Sequence, residues 1–116
     1  MGMFRDPGEQ EIDLVKEMAE SLGSAGLKLD ELLERAGRAR QRVQARLAKC
    51  HGGEEPCDAF SVKAVNESIR EYNSLVDKAE DALRWLLIQR EACGFRIHPD
   101  VDHYYPIPPK MKLLNP

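Results

Sequence analysis

The sequence is poor in aromatics, which make up 6% of its residues with Trp85 the only tryptophan, and it shows almost none of the strict apolar–polar alternation of a half-buried strand. Both shortages argue against a sheet-based or compact mixed fold. No apolar run reaches the length that crosses a bilayer, and Met1-Gly2-Met3-Phe4-Arg5-Asp6-Pro7 lacks the apolar core of a signal peptide, so a cytoplasmic protein without membrane association is expected. Cysteine is confined to Cys50, Cys57 and Cys93. An odd, small number without a secretion signal reads as free thiols, although Cys50 and Cys57 flank one loop and an oxidising compartment would clip them together. Charge of one sign is also lacking: the net charge of the 116 residues is −3, so bulk attraction to nucleic acid or an anionic membrane is not expected.

Catalytic groupings are missing as well. There is no glycine loop between a strand and a helix, no serine in an elbow and no pair of carboxylates in a discernible pocket, so no enzyme and no cofactor are expected. His98, Asp100, Asp102 and His103 lie close together near Cys93, and Cys50, His51 and Cys57 form a second group, but neither spacing matches a standard metal site. No metal is expected.

Charged residues make up 32% of the chain, with Leu, Ala, Glu, Arg and Lys prominent, a balance that suits long solvent-rich helices. From Asp58 to Gly94 a heptad runs almost unbroken through Val62, Val65, Ile69, Tyr72, Val76, Ala79, Leu83 and Leu86. A first arm carries Ile12, Val15, Ala19 and Leu22 before Gly23-Ser24-Ala25-Gly26, and Leu29, Leu33, Ala36, Val43 and Leu47 after it. Two glycines suggest a stop, since each costs about 1 kcal/mol relative to alanine inside a helix. Yet the apolar phase does not slip across them, and a true turn has no reason to preserve it. The expectation is an all-α, coiled-coil-like antiparallel hairpin over 1–94, with helices near 8–23, 27–50 and 58–94. Its first arm is either continuous or broken at Gly23-Gly26 into a three-helix arrangement, with the continuous form preferred.

Pairing the arms about Gly52-Gly53 sets Val43 against Val65, Arg40 against Ile69, Ala36 against Tyr72, Leu22 against Leu86 and Val15 against Cys93. Beyond Gly94 four prolines from Pro99 to Pro109 exclude a helix, so residues 95–116 are expected as an extended tail. Its apolar residues, Tyr104 and Tyr105 among them, imply docking on a helical surface of its own subunit or of a partner. Pro106 to Pro109 also forms a PxxP core, with Met111 where a basic residue usually stands.

Two surfaces emerge as candidates. Leu14, Met18, Leu32, Phe60, Leu75, Trp85, Leu87 and Ile88 lie outside the seam, and around 83–88 the long helix is apolar nearly all round, which calls for burial on more than one side. Trp85, Leu87, Ile88, Tyr104 and Tyr105 are the expected contacts of a homodimer or of a larger protein partner. The second surface is a basic stripe of Arg35, Arg38, Arg42, Arg46 and Lys49, with no acidic residue from 35 through 49. It would suit a nucleic-acid-associated regulator. Without aromatic or amide groups for base readout, and with Glu67, Glu71, Asp77, Glu80 and Asp81 on the opposing arm, that is the second choice.

Overall fold

A computed structural model describes residues 7–51 and 58–115. Three helices form in order, α1 over Pro7–His51, α2 over Ala59–Ala92 and α3 over Pro99–Tyr104, and no strand occurs among the described residues. The first two pack along their lengths in a body with extents of 80 × 28 × 18 Å. Their direction follows from the side-chain bonds between them. Ser21 meets Gln89, Arg42 meets Glu71 and Arg46 meets Ser68, so partners fall in number along α2 as they rise along α1. The arms are antiparallel.

Helix α1 runs through Gly23 to Gly26 without a break, as the preserved phase implied. Gly26 is buried for a reason unrelated to chain reversal: a Cβ there would stand 2.9 Å from the Tyr105 hydroxyl. The glycine makes room for the tail.

Alternating steps of four and three bury Ala25, Leu29, Leu32, Ala36, Ala39 and Val43 of α1 against Val65, Ile69, Tyr72, Val76, Ala79 and Leu86 of α2. This corrects the expected seam at two places. Ala39 occupies the position assigned to Arg40, which is exposed, because the chain steps three residues from Ala36 rather than four. Leu32 and Leu75, expected on an outer stripe, belong to the core.

At its start α2 is capped by Asp58, whose Oδ1 accepts from the Ser61 amide at 2.7 Å. That bond holds the Asp58 carboxyl below its ordinary value. At its end Gly94, with φ of 99°, adopts the left-handed conformation, and the Gly94 and Phe95 amides return to the Glu91 and Arg90 carbonyls at 3.0 Å each. Helix α2 therefore stops firmly while α1 continues. With 45 residues against 34, α1 is longer by roughly 16 Å at 1.5 Å per residue. Val15, expected opposite Cys93 at the end of α2, is 64% exposed on this overhang, and Ile12 is 69% exposed.

The tail corrects a further expectation. Pro99 to Tyr104 is helical, because Pro99 sits in the first turn, where proline loses no hydrogen bond. Only the chain after it is non-helical. Cys50 is disulfide-bonded, not a free thiol; Cys93 is free, and Cys57 lies outside the described residues. None of the described helices is long and apolar enough to cross a membrane.

Candidate interaction surface

One hundred degrees per residue gives α2 three usable faces: the seam, a flank through Asn66, Asn73 and Asp77, and the opposite flank through Glu71, Leu75, Lys78, Ala82, Trp85 and Gln89. The tail takes the first flank. Asn73 Nδ2 donates to the Met111 carbonyl and its Oδ1 accepts from the Met111 amide, both at 2.9 Å. Asn66 repeats the pair with Leu114, at 3.0 Å and 2.7 Å.

The spacing explains the match. Seven helical residues advance about 10.5 Å, while three residues of extended polyproline-like chain advance about 9.3 Å. Two asparagines seven apart thus meet main-chain groups three apart. The Tyr72 hydroxyl adds a 2.7 Å bond to the Pro109 carbonyl, and Lys110 pairs with Asp77. Burial pushes the Tyr72 phenol above its ordinary value, opposed by the Arg40 cation, whereas the bond to Asp77 raises Lys110. Val101, Tyr105, Ile107, Met111 and Leu114 complete the docking against the core. The tail therefore covers its own chain.

The opposite flank is uncovered. Between the helices lies a cavity of about 400 Å³ with Ala25, Leu32 and Ala82 at its floor, Trp85 as a wall, and Lys28, Arg35, Lys78 and Asp81 around it. Gln89 fixes the indole. With its amide turned so that the oxygen accepts from Trp85 Nε1, its nitrogen donates to Ser21 Oγ at 3.0 Å and to the Ser21 carbonyl at 3.2 Å, which satisfies every group. The indole is held in place, yet the residue remains 55% exposed.

The expected contact residues fall into two sets. Trp85, Ile88 and Tyr104 are exposed, whereas Leu87 is half-buried against the core and Tyr105 is half-buried over Gly26. The basic stripe is largely spoken for. Arg38 pairs with Glu34 at 3.1 Å and Arg42 with Glu71 at 2.8 Å, while Arg46 donates to the Ala64 carbonyl at 2.8 Å and to Ser68 Oγ. Arg35 and Lys49 have no ion pair among the described residues.

At the end of α2, the Arg90 guanidinium lies 4.6 Å from the Phe95 ring centroid and its Nε donates to His98 Nδ1 at 3.1 Å. The His98 proton then belongs on Nε2, which faces Glu91 Oε1 at 3.5 Å without forming a hydrogen bond. No three His, Cys, Asp or Glu side chains converge among the described residues.

Asn66, Asn73 and Gln89 were not singled out from the sequence. Their signal was position: amides beside an apolar seam, the asparagines seven residues apart. The architecture is that of an all-α protein built on two long packed helices. No known family, curated protein or solved structure matches the chain.

Proposed function

We propose that the protein is a non-enzymatic assembly module, a coiled-coil-like hairpin that self-associates through the end where α1 overhangs α2. The observation that carries this reading is the concentration of apolar surface there. Eleven large hydrophobic residues are exposed among the described residues, and eight of them, Ile12, Leu14, Val15, Trp85, Ile88, Phe95, Ile97 and Tyr104, belong to the overhang, the last turns of α2 and the segment after it. A monomer seldom leaves so much apolar surface at one end, because each Å² covered is worth about 25 cal/mol. Trp85 is the natural anchor, being large, half-exposed and already ordered by Gln89. The Pro-rich tail supports the surface by holding α3 beside it.

Trp85→Asp tests the reading by light scattering on a sizing column. The expected result is loss of the dimer with helix content by circular dichroism unchanged. An unchanged mass would remove Trp85 from the interface.

A further inference from the structure

Resting on that reading, we propose that the uncovered flank receives residues 12–20 of α1 from a second copy, docked antiparallel and reciprocally about a twofold axis near Gly23. The groove asks for a ligand that is apolar and acidic together. Its floor of Ala25, Leu32 and Ala82 is apolar, and Lys28, Arg35 and Lys78 carry no ion pair among the described residues. The remaining group, Asp81, is bound to Arg84 at 2.7 Å. Phosphates would satisfy the cations but leave the floor and the indole wall uncovered.

The chain carries such a ligand on its own overhang. Residues 12–20 contain Asp13, Glu17 and Glu20 against the single cation Lys16, with Leu14 52% exposed. Leu14, Ser21, Lys28 and Arg35 stand seven residues apart, so the overhang and the groove share one flank of α1. Along that flank Leu14 and Glu17 give way, through the small residues Ser21 and Ser24, to Lys28 and Arg35 with Glu31 between them.

A twofold axis through the small middle sets Glu17 on Lys28 of the second copy, and Leu14 beside Glu31 and Leu32 of the second copy. Both Glu17 and Lys28 are exposed and without an ion pair among the described residues. At the crossing this flank carries only the small side chains of Ser21 and Ser24, so the two helices can approach closely. A parallel arrangement would set acid on acid and base on base. The isologous contact uses every feature twice and leaves no open end for further growth.

The test is sedimentation equilibrium on the full chain at low salt, with Glu17→Lys and Lys28→Glu made singly, mixed, and combined in one chain. Each single variant places like charges together at two symmetric points and is expected to weaken the dimer roughly tenfold or more, with helix content unchanged. An equimolar mixture should restore the dimer as a heterodimer, and the double variant should restore it as a homodimer. A wild-type dimer that neither single variant weakens, or that mixing does not restore, overturns this geometry while leaving Trp85 as an anchor. A wild type that is monomeric throughout overturns both readings. If Lys28→Glu leaves the mass unchanged but abolishes binding of a single-stranded oligonucleotide, the groove has a different occupant and the proposal falls.

Discussion

Replacing Asn73 by alanine removes one of the two amide clasps that hold the tail, and the structure gives the size of the effect. Two bonds are lost, Nδ2 to the Met111 carbonyl and the Met111 amide to Oδ1, each 2.9 Å long and partly buried. At about 0.5–1.5 kcal/mol net for each, the docked tail should lose about 1–3 kcal/mol. That corresponds to a fall of about fivefold to about a hundredfold in protection of the Met111 amide against hydrogen exchange. The Leu114 amide reports whether the tail is one unit. It keeps its own bond to Asn66 Oδ1, so lost protection at Leu114 means the segment undocks as a whole, and retained protection means local fraying. Asn73→Asp keeps the acceptor for the Met111 amide but sets a carboxylate against the Met111 carbonyl, and should also weaken docking. Exchange at core amides such as Val76 should be unchanged in both. Undiminished Met111 protection in Asn73→Ala would refute the clasp.

Three other perturbations have definite outcomes. Gly37→Ala, where the new Cβ meets nothing within 4 Å, should raise unfolding stability by about 1 kcal/mol in a denaturant titration. Gly26→Ala should gain less, because its Cβ must push the Tyr105 hydroxyl aside, and equal gains would mean that Tyr105 does not rest on α1. Alkaline pH should release the tail. Tyr72 and Lys110 both have folded values raised above their ordinary 10.0 and 10.5, so their contributions are complete below those values and are lost as pH climbs through the raised ones. Thermal midpoints of the wild type should therefore fall more steeply above pH 10 than those of Tyr72→Phe combined with Lys110→Met, and parallel curves would contradict that origin.

Much of the helical framework was legible because apolar period survives in sequence. The phase held across Gly23 to Gly26 pointed to one first helix, and α1 is one helix. Single-residue register was harder where alanines crowd: Ala36, Ala39 and Arg40 allow a step of three or four, and only packing shows that Ala39 is inside. The overhang was hidden because Ile12 and Val15 continue the seam pattern beyond the point where Gly94 turns the partner helix away. A stripe records what a helix can cover, not whether anything covers it. The tail's path was hidden for another reason. Asn66 and Asn73 bind main chain, so their partners at Leu114 and Met111 leave no side-chain pattern to match. Of the candidate surfaces, exposed Trp85 and Ile88 lie where the all-round apolar stretch suggested, while most of the basic stripe is engaged by bonds to Glu34, Glu71, Ser68 and the Ala64 carbonyl.

Sedimentation equilibrium of the unmodified chain over a wide concentration range at low and moderate salt tests self-association most directly. A reversible dimer is expected, weakening as salt screens the exposed ion pairs between copies but persisting through its apolar contacts. A single species of monomer mass at the highest concentrations, with the apolar end of the hairpin still exposed, would contradict it.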